Sequence, residues 1–147
     1  MALYAAYGSN LHPAWMAERA PHSPPIGSGW IQGWRLTFGG EDLSLHGALA
    51  TIVEDPSSQT YVMVYALTDL DERALDHFEA ADYGLYRKIH LRVSLLHRDI
   101  SAWTYVLDGF EGGRPSLHYL QDIIEAADAA GAPRDYVDVL RALHDQD

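Results

Sequence analysis

Residues 2–11 read Ala-Leu-Tyr-Ala-Ala-Tyr-Gly-Ser-Asn-Leu, and the organisation of the chain follows from how this stretch is read. Six short apolar and aromatic residues ending at a glycine fit a buried first strand better than a helix. Gly8-Ser9-Asn10 breaks that strand, and from Leu11 to Arg19 the pattern turns helical, with Asn10 as the expected N-cap and Pro13 in the first turn. A strand that runs through glycine into a helix start offers backbone amides to an anion or a carbonyl oxygen, and glycine lets a ligand come close. Pro13 removes one donor from that cradle.

Downstream, residues 20–29 hold three prolines and two glycines and are expected to form an exposed connection. Strands are expected at 30–38, 47–53 and 59–67, with Asp55-Pro-Ser-Ser58 carrying the chemistry of a hairpin turn between the last two. Tyr61 to Leu67 is apolar on both faces and should lie at the sheet centre. Thr68 can cap a helix over 69–79 whose first turn holds Asp69, Asp71 and Glu72, with Leu67, Leu70, Leu75 and Phe78 burying one side. Ile89 to Leu95 alternates with period two and pairs with 102–107. Behind Ser116, apolar residues from Leu117 to Ala130 recur at helical spacing until Gly131 and Pro133, and Tyr136 to Leu143 form a last short helix. The sum is one α+β domain over 1–147 with five or six largely antiparallel strands, because most connections are too short for crossover helices.

Composition narrows the functional classes. At 147 residues the chain should bury about two-thirds of its unfolded surface as one core. The absence of cysteine excludes disulfides, thiolate metal sites and a cysteine nucleophile. A formal net charge of −11 with only 10 Lys and Arg argues against nucleic acid or a membrane as partner. No apolar run approaches the roughly 20 residues of a membrane helix, and the first residues lack a signal-peptide pattern, so a soluble cytoplasmic protein is expected. The eight histidines show neither His-x-x-x-His nor Glu-x-x-His spacing, so no metal or other cofactor is expected. A serine-hydrolase elbow is missing too.

The second informative segment is Leu75-Asp-His-Phe-Glu-Ala-Ala-Asp-Tyr-Gly-Leu-Tyr86. If the helix ends near Glu79, that carboxylate sits at the negative end of the dipole with Asp76 and Asp82 nearby, and both effects favour its protonated form. Such a group can shuttle a proton near neutral pH.

Taken with Trp34-Arg-Leu-Thr-Phe38, His46-Gly-Ala-Leu-Ala-Thr-Ile52, Pro115-Ser-Leu-His-Tyr119 and Gly131-Ala-Pro-Arg-Asp-Tyr136, the Tyr7–Leu11 loop and the Glu79 segment closely resemble the gamma-glutamyl cyclotransferases and AIG2-like proteins, over about residues 3–143. The resemblance implies a mixed, mostly antiparallel sheet curled into a small barrel with peripheral helices. It implies a loop, Tyr7, Gly8, Ser9, Asn10 and Leu11, that holds a gamma-glutamyl group largely through backbone groups, with Glu79 as catalytic acid/base and Tyr119 reaching toward substrate. The implied reaction is attack of the substrate's own alpha-amino nitrogen on its gamma-carbonyl, releasing 5-oxoproline and an amino acid or amine. Cyclotransferases acting on gamma-glutamyl amines or a biosynthetic intermediate, and a non-catalytic gamma-glutamyl-binding protein, are the alternatives. The partner implied is a small molecule, and the chain could form a homodimer. Ala80 stands where the family has glycine and Tyr83 where it has a small polar residue, departures that bear on substrate preference. Whether the loop amides bind the substrate carboxylate or the oxyanion stays open.

Overall fold

The computed structural model describes residues 2–41, 47–79, 84–107 and 111–144. Five strands, β1 (Ala2–Ala6), β2 (Pro25–Gly39), β3 (Leu49–Leu67), β4 (Tyr86–Leu95) and β5 (Asp99–Leu107), close into a barrel in the order β1-β3-β2-β4-β5. All neighbours are antiparallel except β1 and β5, which meet in parallel at Tyr4 and Trp103 and close the ring. Around it lie a 3-10 turn (Ser9–Leu11) and helices α1 (Pro13–Arg19), α2 (Asp69–Phe78), α3 (Leu117–Ala129) and α4 (Arg134–His144). No helix of the described residues is long and apolar enough to cross a membrane.

The strand expected at 59–67 is central, flanked by β1 and β2. Its period-two alternation sends Val62 and Val64 into a cluster with Ile31, Val93, Ile123 and Leu140, and Tyr65 and Leu67 into a second with Tyr4, Leu75 and Trp103. Both faces of the sheet are therefore covered. Val93, fully buried in an otherwise half-solvated β4, keeps the expected alternation.

Two expectations about strands are overturned. Pro25 to Gly29 belong to β2 and pair with residues 62–65 of β3 and with Leu95, so residues 20–29 are not simply an exposed connection. Prolines exclude a helix, but proline is tolerated at a strand's first residue, where Pro25 stands. Gly29 is needed: a Cβ there would overlap the Ser94 carbonyl oxygen and lie 2.9 Å from Leu95 Cδ2. Asp55-Pro-Ser-Ser58 does not reverse the chain either. Residues 49–67 form one strand, and 55–58 bulge out opposite the single residue Gly33, whose φ is +82°. The Asp55 carboxylate still accepts from the Ser57 amide at 3.0 Å and the Ser57 hydroxyl at 2.8 Å, as in a turn, but Thr60 Oγ1 donates to the Trp34 carbonyl and returns β3 to its partner.

The helices differ in detail. Thr68 caps α2 by accepting from the Asp71 amide, and Ser116 caps α3 by accepting from the Tyr119 amide. His12 rather than Asn10 caps α1, its Nδ1 accepting from Ala14 N at 3.2 Å. On α2, Leu70 and Phe78 are exposed, not buried, and Asp71 turns inward beside Leu75. Asp71 Oδ2 accepts from His22 N at 2.8 Å and Ser23 Oγ at 2.7 Å, which ties the α1–β2 connection to α2 and accounts for a carboxylate in the interior. Leu117 is exposed as well, whereas Leu120, Ile123, Ile124 and Ala127 line the buried side of α3. Gly131, at φ +78°, ends the helix as expected.

Candidate functional site

The strand β1 ends at a small cleft lined by Tyr4, Tyr7, Gly8, Ser9, Asn10, Ala50, Glu79, Tyr86, Tyr105 and Tyr119. Of the residues singled out in the sequence, Tyr7, Gly8, Ser9, Asn10, Glu79 and Tyr119 come together here. Leu11 does not line the cleft. Its side chain is fully buried and its amide donates to the Gly8 carbonyl at 3.0 Å, closing the 3-10 turn and narrowing the cradle to the amides of Gly8, Ser9 and Asn10. No described residue crowds Gly8, since a Cβ there would meet Ala50 Cβ only at 3.9 Å, so the open space over its backbone belongs to the cleft.

Each wall is fixed by bonds to the scaffold. Tyr7 donates its hydroxyl to the Tyr105 carbonyl at 2.6 Å, pinning the loop's entry to β5. Ala50 is bracketed: Tyr86 donates to its carbonyl at 3.0 Å, and its amide donates to the Tyr119 hydroxyl at 2.9 Å. Tyr105 donates to Asp76 Oδ1 at 2.7 Å, and Asp76 also pairs with Lys88. Burial pushes the phenols of Tyr4, Tyr7, Tyr86 and Tyr105 up, and that of Tyr119 up to about 12, so all five stay neutral.

Glu79 caps the C-terminus of α2, with its amide bonded to the Leu75 carbonyl, and is partly buried. Its Oε1 accepts from Asn10 Nδ2 at 3.1 Å. Burial raises its pKa above the ordinary glutamate value, while the Asn10 bond and the Arg19 charge pull it down. The direction matches the sequence argument, and the leading cause is desolvation; Asp76, occupied by Lys88 and Tyr105, does not contribute to it. Asp82, with Ala80, Ala81 and Tyr83, lies outside the described residues, as do His46 and residues 108–110.

Sequence reasoning missed Tyr4, Tyr86, Tyr105 and Arg19. Nine tyrosines in 147 residues, one of them closing the Glu79 segment at Tyr86, were the available signal. None of residues 20–29 or 111–115 lines the cleft; residues 111–115 line a separate apolar groove with Phe38, Leu117 and Val139. Among the described residues no three His, Asp or Glu side chains are grouped to hold a metal ion.

Fold and site thus define a small closed-barrel protein with a carboxylate set among neutral phenols beside a glycine loop. A family model described as the AIG2-like family matches residues 59–140. The human protein named gamma-glutamylcyclotransferase is 28% identical over 150 residues, covering 99% of this chain and 80% of the human one. The mouse protein of that name is 29% identical over 146 residues, covering 96% and 78%. A solved structure titled gamma-glutamyl cyclotransferase superposes with a TM-score of 0.87 at 27% identity, covering 96% of this chain and 86% of that one. The chain belongs to the AIG2-like family.

Proposed function

We propose that this chain is a cytoplasmic gamma-glutamyl cyclotransferase. The observation that carries the reading is a carboxylate, Glu79, hydrogen-bonded to the loop residue Asn10 in the cleft where the loop, Glu79 and Tyr119 converge. Relatives of that name aligned along nearly the whole chain support it. The substrate's alpha-amino nitrogen attacks its own gamma-carbonyl carbon, the lactam C–N bond forms, and the C–N bond to the leaving amine breaks. The ammonium gives up two protons as it becomes the lactam N–H: Glu79 takes the first and delivers it to the departing nitrogen, and the second ends on the released amine, which leaves as an ammonium. The enzyme supplies no nucleophile. Its work is to hold the two reacting atoms of one molecule together and to exclude water, which fits a cleft walled by neutral tyrosines. Amides of Gly8 to Asn10 are donors for the substrate carboxylate or for the developing oxyanion.

Incubation with a gamma-glutamyl amino acid is expected to release 5-oxoproline and the free amino acid in equal amounts; stable binding without turnover would instead make the chain a binding protein. Tyr119→Phe removes the hydroxyl that anchors Ala50 and faces the cleft. A net hydrogen bond is worth about 1 kcal/mol, so KM should rise on the order of fivefold with kcat changed little. Steady-state kinetics that match the unsubstituted protein would leave Tyr119 a purely structural residue.

A further inference from the structure

Asn10 is buried and its carboxamide is fully committed. Oδ1 accepts from Arg19 Nη1 at 2.6 Å, while Nδ2 donates to the Tyr4 hydroxyl at 2.9 Å and to Glu79 Oε1 at 3.1 Å. A guanidinium can only donate, so the oxygen of Asn10 must face Arg19 and its NH2 must face Glu79. The flipped amide would set NH2 against the guanidinium and oxygen against the carboxylate. Arg19 is itself held in place: the same nitrogen donates to Ser9 Oγ at 3.1 Å, and the guanidinium lies 4.4 Å from the Phe78 ring centroid and 5.8 Å from that of Trp15. Phe78 precedes Glu79, so one arginine grips the loop and the end of α2 together.

We propose that Arg19 is a positioning residue for proton transfer, orienting the Asn10 carboxamide so that it delivers its hydrogen bond to Glu79. This rests on Glu79 being the proton-transfer group. Among the described residues, the groups facing Glu79 are Tyr4 and Tyr7 from the first strand and its end, Tyr86 from β4, Tyr105 from β5, Tyr119 from α3 and Arg19 from α1. Its own helix adds the exposed His77 and Asp76, the latter paired with Lys88. With the five phenols neutral, Arg19 is, among the described residues, the cation that offsets burial at Glu79, directly and through Asn10. Its loss removes both lowering influences. Glu79 then titrates at higher pH, is ionised less at neutrality, and is a poorer acceptor for the ammonium proton.

The test is a titration of the Glu79 carboxyl by 13C NMR in protein labelled at glutamate, with the resonance assigned by its disappearance in Glu79→Gln. Arg19→Leu should move the Glu79 midpoint upward. It should also shift the acid limb of the kcat profile the same way and lower kcat at neutral pH on the order of tenfold with KM little changed. Arg19→Lys, whose ammonium can still donate to Asn10, should return most of the shift. If Arg19→Leu does not fold, Arg19→Gln gives the same reading through loss of the charge. A folded variant with an unmoved Glu79 midpoint would overturn the proposal and leave Arg19 as a structural clamp that lowers Tm alone. Because the titration needs no turnover, it decides Arg19's role even if the protein releases no 5-oxoproline, an outcome that would defeat only the functional reading.

Discussion

Glu79→Gln should reduce 5-oxoproline release by roughly 10³-fold while the protein stays folded, since general acid–base transfer contributes about 10²–10⁴ to rate. Glutamine fills the same space and its amide oxygen still accepts from Asn10 Nδ2, so the loop keeps its partner and only the exchangeable proton is lost. The same substitution should make the protein more stable at alkaline pH. Glu79 has a folded pKa above its unfolded value, so the folded state holds the proton more tightly. The penalty for burying the carboxylate appears as pH rises through the unfolded pKa and is complete above the folded one. A neutral glutamine carries no such penalty. Thermal midpoints should therefore separate in favour of Glu79→Gln at pH 8 and converge near pH 4. Retention of full activity, or a stability difference independent of pH, would remove Glu79 from the proposed role.

Gly29→Val should lower stability by about 3 kcal/mol, which for a chain of this size moves Tm down about 6–12 °C. The β2–β4 seam consists of two residue pairs, Gly29 with Leu95 and Trp30 with Ser94. The added Cβ would strike the Ser94 carbonyl oxygen, a backbone atom that cannot swing aside without breaking one of those pairs. Gly29→Ala introduces the same atom and should show the same sign with a smaller size. Two residues away, a Cβ on Gly27 meets none of the described residues within 4 Å, so Gly27→Ala should be neutral or stabilise by up to about 1 kcal/mol through the unfolded chain. Equal behaviour of the two alanine variants, followed by thermal denaturation, would mean that the seam is not the constraint.

The sequence made local chemistry legible and spatial convergence much less so. Thr68, Ser116 and Gly131 were readable because a helix cap is decided by its own few residues. The Gly8 loop and Glu79 stood out for the same reason, as a broken strand and a helix end. Asp55-Pro-Ser-Ser58 was read correctly as a turn in chemistry and wrongly in direction. Whether such a segment reverses the chain or bulges from it depends on the partner strand, where Gly33 at positive φ takes up the mismatch. Leu70 and Phe78 carried a helical apolar pattern yet lie outside, because the inward place went to Asp71, whose partners His22 and Ser23 are some 50 residues earlier. Tyr4, Tyr86 and Tyr105 enter the cleft from three strands, and no spacing within any one of them announces it. Arg19 was unreadable for a related reason, since an arginine in the last turn of a helix is ordinary dipole chemistry until its partners are known.

The parallel contact of β1 with β5 carries a consequence for the order of assembly. Thr104 Oγ1 donates to the Ala5 carbonyl at 2.6 Å and Tyr7 to the Tyr105 carbonyl, across sequence separations of 99 and 98 residues. The β2–β3 ribbon can form from neighbouring chain, but bringing β1 and β5 together requires closing a loop of most of the molecule, and such contacts form late. Tyr4 and Tyr105 face each other only after that event. The cleft is thus completed in one of the last steps of folding, and a molecule bound in it would hold shut the joint that opens first. Hydrogen exchange should register this as slower exchange at the β1 and β5 amides in the presence of 5-oxoproline.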